Sequence, residues 1–257
     1  MSPIGTIFKE NTKITSFDEF QYFTGVTSLN ADAFHKSSIH EITLPDGITN
    51  IPNGYFNNQY SLGVFAFSEI QKVVLPHSLT SIGVCSFYSC KNLAKINLES
   101  VIAIERGAFD SCSFEELNLN DNCILKNGAI SNCNNLKRLV IPEGNTNLGI
   151  VQGCKGMEYL EYPEGGTTVD SYGSSNSGIL VLPSTVTTIK DMAFARSAYS
   201  FIVLKAKTPP TLGSNPFYSG SWPTYIYVPD NSVEAYKVAT NWNNLSNRIR
   251  PLSEFTE

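Results

Sequence analysis

One short pattern recurs along this chain, mostly at intervals of 21 or 22 residues, and it restricts the fold more than any other feature. Each copy ends in two apolar residues that stand two positions apart, as Ile96 and Leu98 do. A repeat of this length is typical of solenoids, in which every copy forms one coil that stacks on the next. Equivalent pairs predict seven or eight coils: Ile42 and Leu44, Val73 and Leu75, Leu117 and Leu119, Leu139 and Ile141, Leu160 and Tyr162, Leu180 and Leu182, and Ile202 and Leu204.

A second short segment precedes each of these strands and is followed by one bulky residue. Residues 79–82, 101–104 and 186–189 are such segments. No coil could bury its apolar side chains by itself, so the stacking of coils must form the core. The bulky position is held by Phe34, Phe87, Phe109 and Phe194, and by Ile130 and Val151 in the middle of the array.

These patterns predict an α/β to mostly-β repeat fold, a solenoid with a stacked parallel sheet and capped ends. Successive residues of a strand face opposite sides, and parallel strands lie about 4.8 Å apart. Leucine and isoleucine at equal positions would therefore form a continuous apolar ladder. Burial of each such side chain contributes roughly 1.5 to 3 kcal/mol to stability.

The string HSLTSIGVCSFYSCKNLAKINL, residues 77–98, resembles the BspA-like leucine-rich repeat, whose pattern is roughly P-x-x-[LV]-T-x-I-G-x-x-A-F-x-x-C-x-x-L-x-x-I-x-[IL]-P. The resemblance covers about residues 26–205, and residues 15–27 and 209–236 are similar to the flanks of such repeats. It implies a leucine-rich-repeat solenoid without catalytic residues. It also implies a surface or secreted protein of anaerobic bacteria, with a role in adhesion and protein binding.

The chain divides into an N-terminal cap or leader of residues 1–25, a solenoid of residues 26–205 and a C-terminal cap of residues 206–257. Caps are expected because an exposed solenoid end invites association. The aromatic residues predicted to pack onto the first coil from a short helix or turn are Phe17, Phe20, Tyr22 and Phe23.

The C-terminal cap is predicted to hold a last strand at 224–228, ended by Pro229, and one short helix. Asn231 and Glu234 have the spacing of a capping box, which would start a helix near residue 232 and run it to about 240. Trp242 and Ile249 would anchor the end of the cap.

Two coils depart from the pattern. Residues 46–76 carry an extra stretch around Asn57, and residues 164–183 are rich in Gly and Ser and lack the usual Phe and Cys. A bulged coil can project a binding loop. Decay of an interior repeat explains the same departures.

Net charge and hydropathy exclude several partners. A net charge of -5 and a pI near 5.3 provide no basic surface, so no nucleic-acid partner is expected. No apolar run approaches the roughly 18 to 20 residues that a membrane-spanning helix needs, so this fragment is not expected to insert into a membrane. The first residues do not resemble an export signal, so the signal of a secreted parent would lie upstream or have been removed.

The sequence predicts no catalytic residues, no metal site and no cofactor. Zinc sites use closely paired cysteines, whereas Cys90, Cys112, Cys133 and Cys154 recur once in each coil. Stacked coils would hold the Cβ atoms of neighbouring ladder cysteines too far apart for a relaxed disulfide. Buried free thiols are therefore expected, with Cys85 and Cys123 outside the ladder. The adjacent Glu115 and Glu116 would point to opposite faces of a strand, and the histidines are His35, His40 and His77.

Two surfaces are candidates for ligand binding. Opposite charges along a column of outward strand residues can also pair and only stabilise the sheet, and exposed aromatic residues near the C-terminus can also be capping core. The outward strand column comprises Lys95, Asn97, Glu116, Asn118, Arg138, Val140, Tyr159 and Glu161, and the aromatic platform comprises Tyr218, Trp222 and Tyr225.

The first functional hypothesis is a non-enzymatic protein-binding or adhesion module at the cell surface or in the secreted fraction. Its partner would be a protein of the host extracellular matrix or of another cell surface. The alternatives are a structural spacer in a longer surface protein and a glycan-binding module.

Overall fold

The structure, a computed structural model, describes residues 5–56, 61–170 and 176–256. The chain forms two compact units, Met1–Asn134 (unit 1) and Asn135–Glu257 (unit 2). The extra stretch at 57–60 and part of the Gly/Ser-rich stretch, 171–175, lie outside the described residues.

Unit 1 is built from short strands that pair in parallel with the equivalent strands of the neighbouring coils. The pairs Ile42 with Val73 and Val73 with Ile96 align one coil with the next. Among the strands described in unit 1, only β3 and β4, which flank residues 57–60, pair antiparallel. The strands of unit 1 are β1 Glu41–Thr43, β2 Asn50–Ile51, β3 Tyr55–Phe56, β4 Ser61–Leu62, β5 Lys72–Val74, β6 Ser81–Ile82, β7 Lys95–Ile96, β8 Ala103–Ile104, β9 Phe109–Asp110, β10 Ile124–Leu125 and β11 Ile130–Ser131.

The sheets of unit 1 form the separate faces of its coils. One sheet has the order β1-β5-β7 and another the order β10-β8-β6-β2, while β9 pairs with β11. The second sheet buries Ile51, Ile82, Ile104 and Leu125 on one side. These strands are the alternating segments that the sequence pattern predicted.

Unit 2 has a six-stranded parallel main sheet with the order β12-β14-β16-β18-β20-β21, and β15, β17 and β19 form a second parallel sheet. Leu139, Leu160 and Leu180 occupy equal positions in successive strands and are buried. The elements of unit 2 are β12 Arg138–Val140, β13 Val151–Gln152, β14 Tyr159–Glu161, β15 Thr168–Val169, β16 Ser177–Leu182, β17 Thr188–Ile189, β18 Ala198–Leu204, β19 Thr211–Leu212, β20 Tyr225–Val228, α1 Val233–Val238 and β21 Ile249–Pro251.

Both units are thus stacks of parallel β coils with little helix, which confirms the predicted fold class. Alternation puts one apolar residue of each strand inside, and stacking joins these residues into ladders. Of the predicted inward residues, Leu98, Leu117, Leu139, Ile141, Leu160 and Tyr162 are buried, whereas Ile96 and Leu119 are half-buried.

Phenylalanine rings stack through the centre of unit 1. The ring centroids of Phe34 and Phe65 are 5.1 Å apart, those of Phe65 and Phe87 are 5.1 Å apart, and Phe109 follows at 5.5 Å. The sequence pattern missed Phe65 because the irregular stretch interrupts the repeat there. In unit 2, Phe194 stacks at 5.1 Å on Phe217, which was also missed.

Three residues after the bulky residue, a small polar side chain joins several of the coils to the coil before them. The thiol of Cys90 donates to the backbone oxygen of Phe65 at 2.9 Å, and the thiol of Cys133 donates to that of Phe109 at 3.0 Å. In unit 2 the amide of Asn176 donates to the oxygen of Val151 at 3.2 Å. Asn176 therefore replaces the cysteine in the Gly/Ser-rich coil. We call this site the ladder position; it holds Ser37, Ser68, Cys90, Cys112 and Cys133 in unit 1 and Cys154, Asn176 and Ser197 in unit 2.

The N-terminal aromatic residues divide into buried and exposed ones. Phe20, in the 3-10 helix Asp18–Tyr22, is fully buried and lies 5.9 Å from the ring of Phe34. Tyr22 and Phe23 are exposed. Only Phe20, and in part Phe17, covers the first coil as predicted.

The C-terminal strand formed as predicted, and Trp242 and Ile249 are buried. The capping-box prediction was wrong. The helix begins at Val233 without a side-chain cap, and Glu234 forms an ion pair with Lys237 at 2.9 Å instead. A 3-10 turn, Asp230–Ser232, leads directly into this helix and leaves Asn231 outside the capping position.

The remaining helical elements are the 3-10 helices Trp242–Arg248 and Leu252–Glu254. No helix in the described ranges is both long and apolar enough to span a bilayer.

Candidate functional site

The candidate site is the solvent side of the main sheet of unit 2, which we call the outer face. Strand register arranges its side chains in two columns. Arg138 lies beside Tyr159, and Val140 lies beside Glu161. The first column comprises Arg138, Tyr159, Ile179, Phe201 and Tyr225, and the second comprises Val140, Glu161, Val181, Val203, Tyr227 and Arg250.

One end of the outer face holds a small network of charged and aromatic groups. The guanidinium of Arg138 lies 3.8 Å from the centre of the Tyr159 ring. The Tyr159 hydroxyl donates to Glu161 at 2.6 Å, and Lys205 Nζ donates to the other carboxylate oxygen at 2.7 Å. Burial opposes ionisation of Glu161, but the hydrogen bonds from Lys205 and Tyr159 outweigh it and hold the pKa of this carboxyl below its usual range.

The middle of the outer face is apolar. Val181, Val203 and Tyr227 are at most 8% exposed although they point away from the solenoid core. Leu252 and Phe255 pack against them. The predicted outward column ended at Glu161, so the sequence analysis missed this second, external apolar cluster. A continuous apolar run in 179–182 and 201–204 was the available signal, because strands buried on both sides lose alternation.

The predicted binding residues of unit 1 lie in a different setting. Lys95 is exposed on β7 and faces Lys72, a like charge, across the strand pair. The Asn97 side chain bonds both backbone atoms of Leu75, N at 2.7 Å and O at 3.0 Å, so it links two coils. Glu116 and Asn118 are exposed but lie outside any strand.

The residues of the predicted aromatic platform contact different neighbours. Tyr218 and Trp222 are 48% and 45% exposed, and the ring of Trp222 lies 4.9 Å from that of Phe217. Tyr225 belongs to the outer face, where it stacks at 6.4 Å on Phe201. The guanidinium of Arg250 lies 4.6 Å from the centre of the Tyr225 ring.

The cysteines have the properties of structural thiols. All six are buried, and none of them forms a disulfide. Burial raises the pKa of Cys85 to about 11 and the pKa values of Cys90 and Cys123 to about 12, so these thiols stay protonated and are poor nucleophiles. Within the described ranges, no group of three or more His, Cys, Asp or Glu side chains could hold a metal ion.

Coils with inward Leu or Ile ladders, a stacked parallel sheet and a polar ladder position define a leucine-rich-repeat protein. The family model for the BspA-type leucine-rich-repeat region matches six copies, over residues 5–63, 61–179 and 168–249. The chain belongs to this family, whose repeats form protein-interaction modules and are typically non-enzymatic.

The chain is also similar to a solved structure, a leucine-rich repeat protein from Bacteroides ovatus ATCC 8483. The two are 18% identical with a TM-score of 0.43, and the match covers 70% of this chain and 63% of the other. This chain thus matches less than two thirds of that protein. A search of curated proteins gave no match.

Proposed function

We propose that this chain is a non-enzymatic protein-binding and adhesion module of a bacterial cell-surface or secreted protein. The observation that carries the proposal is the half-buried aromatic and apolar column on the outer face of unit 2. Soluble proteins rarely leave such a patch on their surface without a role. Aromatic and arginine side chains, such as Tyr159 and Arg138, are also the residue types that contribute most to protein interfaces.

A binding screen tests this function. The full chain is immobilised and titrated with purified extracellular matrix proteins and with glycans, using biolayer interferometry. We expect a saturable protein ligand, and the double variant Arg138→Ala/Tyr159→Ala should weaken its binding at least about tenfold. The melting temperature should fall by only about 2 to 4 °C, because the pair contributes about 1 kcal/mol to folding.

The matched control removes two exposed apolar side chains that lie elsewhere in unit 2, in the double variant Met192→Ala/Val238→Ala. This control should bind as the wild type does. If the screen finds no saturable protein ligand, the result would support the spacer function. Equal losses of binding and stability would show that the Arg138 column only supports the sheet.

Glycan binding is the second candidate, favoured by the exposed rings of Tyr218 and Trp222. A Trp222→Ala variant that loses binding to an oligosaccharide would support it. Incubation of the wild type with polysaccharides, followed by an assay of new reducing ends, tests for hydrolysis. Measurable turnover would contradict a non-enzymatic function.

A further inference from the structure

Residues 252–256 lie on the outer face and cover part of its apolar middle. The ring of Phe255 lies 5.0 Å from that of Tyr227 and 6.5 Å from that of Phe201. Leu252 packs against the same cluster. These two apolar side chains are three residues apart, and the 3-10 turn Leu252–Glu254 therefore places them on the same side.

This contact shows which chemistry the outer face accepts. A single short turn presents Leu252 and Phe255 to the sheet, while Ser253 and Glu254 between them remain exposed. Outside the apolar contact, the segment is attached through Asp230: Ser253 N donates to this carboxylate at 3.0 Å, and the Ser253 side chain and the Leu252 backbone also bond to it. The segment resembles a small amphipathic ligand that is bound by two side chains.

The apolar surface continues beyond the area that segment 252–256 covers. Tyr159 and Ile179 are half-buried, and Val140 is 51% exposed. A guanidinium stands over a tyrosine ring near each end of the first column: Arg138 over Tyr159, and Arg250 over Tyr225. A complementary ligand would therefore combine apolar side chains with acidic residues at its flanks.

We propose that the outer face docks a short turn-forming peptide segment of a partner protein. This segment carries two large apolar side chains three residues apart and acidic flanking residues. Segment 252–256 occupies part of the same surface and competes with it. The proposal rests on the protein-binding function above and names the class of partner for that site.

Peptide selection tests the proposal. A phage library of random 12-residue peptides is selected against the full-length double variant Leu252→Ala/Phe255→Ala, in which the competing side chains are removed. The enriched peptides, made synthetically with a fluorescent label, are titrated against the variant and the wild type by fluorescence anisotropy. We expect the enriched peptides to carry the apolar pair with acidic neighbours. They should bind to the variant at least about tenfold more tightly than to the wild type.

Further variants locate the binding surface. Adding Arg138→Glu and Arg250→Glu to the double variant should weaken the binding of the acidic peptides at least about tenfold. The double variant Tyr22→Ala/Phe23→Ala removes two exposed aromatic side chains of unit 1 and should bind the peptides as the wild type does. The single variant Phe255→Ala provides the same test if the double variant loses its cooperative melting transition.

Each contrary result has a separate meaning. No enriched peptide, or equal affinity for wild type and variant, would overturn the docking of a peptide turn. Displacement of the peptides by a neutral oligosaccharide would assign the face to glycans and also overturn it. A folded protein that binds the Arg138 end and ignores residues 252 and 255 would overturn this proposal while leaving the proposed function intact.

Discussion

At the scale of single residues, the coils depend on positions with a special backbone conformation or with a buried hydrogen-bond donor. The residue before the ladder position adopts a left-handed conformation in several coils, as Ser89, Ser111 and Asn132 do with φ between 53° and 60°. The same position holds Gly153, Lys36, Phe67 and Arg196 with positive φ, so the stacked coils impose this conformation on large side chains as well as on glycine.

Gly178 is one of the positions that require glycine. Its φ is +76°, and a Cβ atom would lie 2.4 Å from the backbone oxygens of both Met157 and Glu158. We expect Gly178→Ala to lower the free energy of unfolding by about 3 kcal/mol, because a left-handed penalty adds to a backbone clash. Urea unfolding followed by circular dichroism measures this loss. Gly5→Ala, where a Cβ would have no atom within 4 Å, is the control and should change stability by less than about 0.5 kcal/mol.

The ladder position provides the second residue-scale prediction. Because the thiol of Cys133 donates to the oxygen of Phe109, Cys133→Ser should keep this hydrogen bond, as Ser68 and Ser197 occupy equivalent sites. Cys133→Ala loses both the bond and the sulfur's contacts. We expect the alanine variant to be less stable than the serine variant by about 1 kcal/mol in urea unfolding. The reverse order, typical of a purely apolar site, would show that the donor is unimportant.

At the scale of elements, the first coil differs from the interior coils because it has no preceding coil to bond to. Ser37, at its ladder position, is buried and has no hydrogen-bond partner for Oγ among the described residues, and neither has Nδ1 of the neighbouring His35. Burial, and then the charges of Lys36 and Lys9, lower the pKa of His35.

The pKa of His35 predicts a pH-dependent stability. The folded state binds the proton less readily than the unfolded state, whose histidine pKa is about 6.5. The free energy of unfolding therefore keeps its full value above about pH 6.5 and decreases below it, by up to about 1.4 kcal/mol per pH unit. Urea unfolding at pH 7.5 and 5.5 should show the loss in the wild type and a smaller loss in His35→Gln.

The exposed His77 provides the matched control for His35. His77→Gln should lose as much stability between the two pH values as the wild type does. An unchanged loss in His35→Gln would assign the pH dependence to other groups.

At the scale of the whole molecule, all six thiols are buried inside their coils, so thiol reactivity reports on opening of the stacked coils. We expect Ellman's reagent at pH 8 to react with the six cysteines of the folded chain roughly a thousandfold more slowly than with the chain in concentrated guanidinium chloride. Rapid reaction of any native cysteine would show a locally open coil. The variant Lys91→Cys adds one exposed thiol and should react at once, which confirms that the reagent is active.

The outer face is also a property of the assembled sheet, because its residues come from several strands. Its first column takes one residue from each of five strands, from Arg138 to Tyr225. The register between those strands therefore determines the site, and a partner would contact several coils at once.

The sequence by itself determined the coil, because each repeat shows its own inward pair and four successive repeats also show a ladder cysteine. It predicted the stacked parallel sheet, the strand at Tyr225–Val228 and the anchoring residues Trp242 and Ile249. These features follow from local alternation and from the requirement that apolar side chains be buried.

Only the tertiary structure determined which outward side chains contact one another and which residues cover them. Leu252 and Phe255 reach Val203 and Tyr227 through a chain reversal that no periodicity records. Asn176 replaces a cysteine because a carbonyl of the coil before it needs a donor, a demand that appears only when the coils stack. Repeats specify contacts between equivalent positions, whereas the packing of Leu252 and Phe255 on the outer face joins positions that are not equivalent.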